Sequence, residues 1–303
     1  MIYQRVALIG LGLIASSMAH AMRRAGVAGE IVGTARSAET RSVAAELGFC
    51  DRVVETATEA VAGADLVVLA TPVGAMGAIA AEIGPHLAPG ATVTDVGSVK
   101  RAVLDAVLPH IPEGVDFVGS HPMAGTEHSG PRSGFAELFD NRWCLMVSAP
   151  EADPKAVARL TRFWNALGSN VEQMDVDHHD LVCAVVSHAP HLIAYTMVGV
   201  ADDLSRVTDS EVIKFSAAGF RDFTRIAASD PTMWRDVFLT NKDATLEILG
   251  RFTEELFALQ RAIRLGDGQH LHDYFTRTRA IRRGIIDAGQ DTDKPDFGRS
   301  GGT

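Results

Sequence analysis

The chain has 303 residues, 47% hydrophobic and 22% charged, enough for two domains with a large core and unlike a disordered or fibrous composition. A net charge of −10 argues against nucleic acid as a partner, because phosphate backbones need a basic face, and it leaves any anionic ligand to a few local cations. Three cysteines, no signal-peptide pattern and no apolar run of the roughly 18–20 residues that span a membrane point to a cytoplasmic protein with neither disulfides nor membrane contacts.

The first half alternates β-branched runs with amphipathic stretches. Strands are expected at 5–10, 30–35, 65–71, 91–97, 116–121 and 143–148. Near-continuous apolar strands separated by helices imply a mostly parallel, doubly wound α/β sheet covered on both faces. A further helix and the segment NVEQMD close this domain near Met174, giving residues 1–174. From Asp175 the texture becomes helical. Leu249, Phe252, Leu256, Leu259 and Ile263 recur at helical spacing and are expected to form a buried stripe. An all-helical domain is therefore expected over 175–288, followed by a polar, Gly-rich disordered tail over 289–303.

At the first strand–helix junction stands Gly10-Leu11-Gly12-Leu13-Ile14-Ala15. This is G-x-G-x-x-A, a dinucleotide-binding fingerprint: Gly10 for the tight turn, Gly12 for close approach of the pyrophosphate, Ala15 for helix–strand packing. The first half therefore reads as a Rossmann-like domain. The acid usually found about 20 residues later is missing. Arg36 and Ser37 stand at the end of the second strand instead, and a cation with a hydroxyl suits the 2′-phosphate of NADP, which is read ahead of NAD. Thr71-Pro72, at the end of the third long strand, should lie over the cofactor crevice.

The next two strand ends converge on that crevice. One carries Ser98 and Lys100, the other His121, Glu127 and His128 in the stretch GSHPMAGTEHSGP. An alcohol-oxidising enzyme needs a base near neutral pH, and imidazole supplies it. A packed histidine in a capped turn is the other reading of His121. His178, His179, His188 and His191 invite a metal, but they lack H-E-x-x-H spacing and a Cys pair, so no metal is expected.

DVGSVK, GSHPMAGTEHSGP, SHAPHLIAY and GFRDFTRIAASDPTMW, in this order after GLGLIA, resemble the prephenate/arogenate (cyclohexadienyl) dehydrogenases over about residues 5–288. The resemblance implies a Rossmann domain joined to a helical dimerisation domain, a homodimer, and a place in tyrosine biosynthesis. It implies oxidative decarboxylation of prephenate or arogenate with NAD or NADP. His121 would take a hydrogen bond from the 4-hydroxyl, supported by Ser98, and Arg225 would bind the ring carboxylate. Ser187 and His191 would lie near the substrate side chain. Glu127 and Trp234 would form the rim, with Trp234 reaching across a dimer. Ala15 in place of a common glycine, and Ala35-Arg36 in place of the usual acid, are departures from the family pattern. Arg221 and Arg225, four apart, are expected to share a helix face, as are Ser187 and His191. A 3-hydroxyacid-type dehydrogenase and a non-catalytic NAD(P) sensor are the competing readings.

Overall fold

The computed structural model describes residues 1–205 and 216–287. The tail expected to be disordered lies outside the described residues from 288 onward. Contacts group the chain into two compact units, Met1–Thr245 and Leu246–Thr303.

The first unit is built on an eight-stranded sheet: β1 (Tyr3–Ile9), β2 (Ala28–Thr34), β3 (Arg52–Val53), β4 (Leu66–Leu69), β5 (Thr92–Asp95), β6 (Asp116–Pro122), β7 (Trp143–Ser148) and β8 (Asn170–Gln173). Its order is β3-β2-β1-β4-β5-β6-β7-β8. The first six strands follow the dinucleotide-binding order 3-2-1-4-5-6. β7 runs antiparallel to β6, and β8 is parallel to β7. The two-residue strand β3 is the one element of the sheet that the apolar pattern does not announce.

Helices cover both faces: α1 (Leu13–Ala25), α2 (Ala38–Leu47), α3 (Ala57–Val61), α4 (Val73–Ile83), α5 (Arg101–Val107) and α6 (Pro154–Ala166). Period-two alternation divides the core. Val6 and Leu8 of β1, with Leu66 and Val68 of β4, pack against Met18 and Met22 of α1 and Phe163 and Trp164 of α6. Ala7, Ile9, Val67 and Leu69 face the other way, onto Met76 and Ile83 of α4 and Val103 and Val107 of α5. Burying each of the larger side chains contributes about 1.5–3 kcal/mol, so strands apolar on both sides hold both helical layers.

After β8 the chain enters α7 (Val176–Cys183), a single π-helical turn at Ala184–His188, and α8 (Ala189–Ser205). By length and composition Val176–Leu204 is apolar enough to cross a membrane, with a mean hydropathy of 1.5; the expectation that no run reaches that length does not hold. This helix nevertheless carries buried His179, Asp180 and His188, bonded to β6, to the start of α5 and to Asn241 of the same unit. Next come α9 (Ala218–Thr224), a 3₁₀ turn at Arg225–Ala228, and α10 (Pro231–Thr240). Asn241 then separates α10 from the helix that follows. It turns out of helical geometry and spends its amide on His188 and the Asp180 carbonyl.

α11 (Lys242–Leu265) and α12 (Gly268–Asp287) complete the described chain. The stripe expected to be buried is not: Leu256 is 51% and Ile263 67% exposed, and Phe252 is also exposed. Helical spacing shows which face is apolar; whether one chain covers it is a separate matter.

Candidate active site

The C-terminal ends of β1, β4, β5 and β6 open on one edge of the sheet, where open α/β sheets bind ligands. Gly10 follows β1 with φ +97°, and a Cβ there would lie 2.5 Å from the Ala70 carbonyl oxygen. Only glycine fits this close crossing of β1 and β4. Gly12 caps α1, and a Cβ on it would meet nothing within 4 Å. The space beside its backbone is what a pyrophosphate needs. Leu11 and Ala15 are buried, and Leu13 and Ile14 open α1. Thr71 Oγ1 is buried without a hydrogen-bond partner, and Pro72 caps α4. Ser37 is the N-cap of α2, accepting from Thr40 N–H at 3.0 Å, and Arg36 beside it is exposed. Glycine cradle, helix N-terminus and orphaned hydroxyl together fit a dinucleotide.

His121 lies inside β6, opposite Leu145 of β7, and is 7% exposed. It is part of the sheet rather than of a turn after it. Its Nδ1 lies 3.0 Å from Nε2 of His179, whose Nδ1 lies 2.8 Å from Asp180 Oδ1. Asp180 also accepts from the main-chain N–H groups of Lys100 at 2.8 Å and Arg101 at 3.0 Å, the start of α5. Burial raises its pKa, but the His179 bond and these two N–H groups outweigh it and hold the carboxyl below its ordinary value. An ionised Asp180 accepts from His179 Nδ1–H, which leaves His179 Nε2 to accept from His121 Nδ1–H. His121 Nε2 is thereby the free acceptor. Burial, with His179 and Lys100 adding to it, keeps His121 well below the usual imidazole pKa and so neutral.

Lys100 is itself fully buried, and its Nζ donates to Asp95 Oδ2, which also accepts from Gly97 N–H. Ser98 sits half-buried between them. The side chains within reach of His121 Nδ1 are His179 and Cys183 rather than the expected Ser98.

A second cluster faces this one. His191 stacks on Trp234 at 3.7 Å between ring centroids and donates from Nδ1 to the Ser187 carbonyl. The expected i, i+4 pair is thus joined through main chain. Trp234, expected to reach across a dimer, is buried against His191 and Phe238 of its own chain. His188 lies 6.0 Å from the Trp234 ring; its Nδ1 accepts from Asn241, and burial lowers its pKa to about 4. Among the described residues, His188 Nε2 and Trp234 Nε1 are buried without hydrogen-bond partners, two donors suited to a polar ligand group. Arg225 donates to Glu127 at 2.7 Å, half-exposed, and its charge lowers the pKa of His191 after burial has done so. Arg221 does not share its helix: α9 ends at Thr224, and Arg225 opens the 3₁₀ turn. The main-chain N–H of His128 donates to Thr126 Oγ1 at 3.2 Å.

Asp180 and Asn241 are not singled out by the sequence, and His179 enters there only among the histidines that invite a metal. The available signal was HHDLVC, which places a histidine, a carboxylate and Cys183 within one turn of helix.

Comparison with known proteins agrees with this architecture. Residues 18–173 match the model of the prephenate dehydrogenase nucleotide-binding domain, and residues 175–277 that of the prephenate dehydrogenase dimerization domain. A cyclohexadienyl dehydrogenase of Zymomonas mobilis is 36% identical over 281 residues, covering 93% of this chain and 96% of that protein. A prephenate dehydrogenase of Bacillus subtilis is 32% identical, covering 92% and 76%. Prephenate dehydrogenase from Aquifex aeolicus, solved with hydroxyphenyl propionate and NAD+, superposes with a TM-score of 0.86 at 33% identity, covering 93% of this chain and 98% of that one. With both halves of the sequence and the whole fold accounted for, this chain belongs to the prephenate dehydrogenase family.

Proposed function

We propose that this dehydrogenase oxidises and decarboxylates prephenate, or its amino counterpart arogenate, with His121 as the base. The observation that carries this reading is the chain Asp180–His179–His121, which presents a neutral imidazole Nε2 at the same sheet edge as the Gly10–Gly12 cradle. His121 Nε2 takes the proton of the 4-hydroxyl. A nicotinamide dinucleotide held at the Gly10–Gly12 cradle would supply the acceptor for the hydride from C4. The ring carboxylate then departs as CO2, its bonding pair completing the aromatic ring.

Arg225 binds an anionic carboxylate in place of Glu127, since a guanidinium fork suits that group. Ser187, His191 and Trp234 line the side-chain end, where the unpaired His188 Nε2 and Trp234 Nε1 offer donors. We read residues 1–174 as the cofactor domain and 175–288 as the helical domain. We read the protein as a cytoplasmic homodimer covering the exposed apolar stripe of α11; its three cysteines are free. Among cofactors we place NADP ahead of NAD, with Arg36 and Ser37 facing the 2′-phosphate.

The test is reduced-cofactor formation with prephenate and arogenate, each with NAD and NADP. Turnover with neither substrate would end the reading. Arg36→Ala should shift kcat/KM toward NAD by lowering the NADP value; an unchanged ratio removes Arg36 from cofactor choice.

A further inference from the structure

Beside the catalytic histidine stands a third side chain that the reaction does not use. Cys183 Sγ lies 3.5 Å from His121 Nδ1 and 3.5 Å from His179 Nε2, and those two nitrogens are 3.0 Å apart. Three donor atoms thus form a compact triangle, with all three residues buried. Ligands at about 2.0–2.3 Å from one tetrahedral zinc ion sit about 3.3–3.6 Å apart: the two sulfur distances already match, and the hydrogen-bonded nitrogens need to part by about 0.3 Å and turn their lone pairs toward the ion. His179 and Cys183 come from one turn of α7, and His121 from β6, so two rigid elements fix the spacing. Asp180 completes the pattern, bonded at 2.8 Å to the far nitrogen of His179, as carboxylates are behind metal-bound histidines. Two imidazoles and a sulfur exclude oxygen-seeking magnesium and calcium, and favour borderline-soft zinc or cadmium.

We propose that His121, His179 and Cys183 form an inhibitory site for zinc-class cations, which switch off the base by occupying its Nδ1. The chemistry follows from the tautomers. In the metal-free chain His121 carries its proton on Nδ1 and accepts through Nε2. Zinc takes Nδ1, the proton moves to Nε2, and His121 becomes a donor where the reaction requires an acceptor. His179 already offers an unprotonated Nε2, and Cys183 releases its thiol proton, so one proton leaves per ion bound. The cost is visible too: burial pushes the Cys183 thiol up to about 12, and Lys100 places positive charge nearby. The ion is therefore a reversible inhibitor rather than a permanent part of the fold. The inhibition rests on His121 being the base proposed above; the binding does not.

The experiment uses the full chain, stripped with chelator, in three forms: unaltered, Cys183→Ala and Cys183→Ser. Cadmium is titrated while the ultraviolet thiolate-to-metal charge-transfer band is followed, and zinc is titrated in the prephenate assay. The unaltered chain should show the band saturating at one equivalent, and zinc should lower kcat at least about 10-fold, the low end of losing a general base being 10²-fold. EDTA should restore the rate. Both variants should keep their metal-free turnover, lose the band, and need about 10–100-fold more zinc for the same inhibition. Absence of the band, or equal inhibition of all three forms, overturns the site. A saturating band with unchanged kcat overturns the inhibition. A chain with no prephenate turnover before metal is added sinks the proposed function instead, and the cadmium band still judges the site.

Discussion

The base proposed here, His121, is oriented by two neighbouring side chains, His179 and Asp180. Asp180 fixes the tautomer of His179, and His179 fixes that of His121, so the acceptor nitrogen is set before any ligand arrives. His121→Asn should lower kcat by about 10²–10⁴-fold; unchanged turnover would exclude it as the base. Asp180→Asn is the sharper probe, because it keeps the shape but loses the charge that defines the chain of donors. It should lower kcat at least about 10-fold with KM near its original value, by analogy with the carboxylate of a catalytic triad. Its amide also presents a donor to the N–H groups of Lys100 and Arg101, and one of them left unpaired costs about 1–3 kcal/mol. A denaturation midpoint measured beside the kinetics separates the two effects: lost stability with full kcat would make Asp180 structural only. Arg225 behaves differently. In the role proposed for it, Arg225 would hold a carboxylate that loses its charge as CO2 leaves, a contact belonging mainly to the ground state, so Arg225→Ala should chiefly raise KM. A pure kcat defect contradicts that role.

Elements of the sheet could be read from the sequence because β-branched runs buried on both faces leave a continuous apolar signature, as in Leu66–Leu69. The junction after β1 was equally legible, and its two glycines serve opposite ends. Gly10→Ala puts a Cβ 2.5 Å from a carbonyl oxygen at φ +97°, so it should destabilise the fold. Gly12→Ala adds a Cβ in open space; the melting temperature should hold while cofactor affinity falls, as calorimetry with NAD and NADP would show. Equal loss of stability in both variants would mean that Gly12 is kept for folding. The helical half was less legible. Nothing in the apolar spacing marks the π-helical turn at Ala184–His188 or the break at Asn241, since both are set by side chains meeting across the unit. The same holds for His179 and Asp180: along the chain His179 invites only a metal reading that its spacing does not support and Asp180 draws none, and only the packing of α7 against β6 and α5 gives them partners. Leu256 and Ile263 mark an apolar face that a single chain leaves exposed.

Across the whole molecule, three buried histidines link stability to pH. His121, His179 and His188 all have folded pKa values lowered chiefly by burial, His188 to about 4, against about 6.5 in an unfolded chain. Below about pH 6.5 the unfolded state therefore binds protons that the folded state refuses, and stability falls with falling pH. The sign is opposite to that of a histidine stabilised by a carboxylate partner. His188 makes the cleanest case, because its Nδ1 accepts from Asn241 and protonation would break that bond. It should contribute up to about 1.4 kcal/mol per pH unit between about pH 6.5 and 4, and the other two histidines add to the slope in the same direction. Denaturant unfolding of chelator-treated protein at pH 7, 6 and 5 measures the slope, and His188→Gln should flatten it by about one proton's worth. Stability unchanged from pH 7 to 5 would mean that water or a bound ligand reaches these rings in the folded chain, and that the neutral, acceptor state of His121 is not maintained by burial.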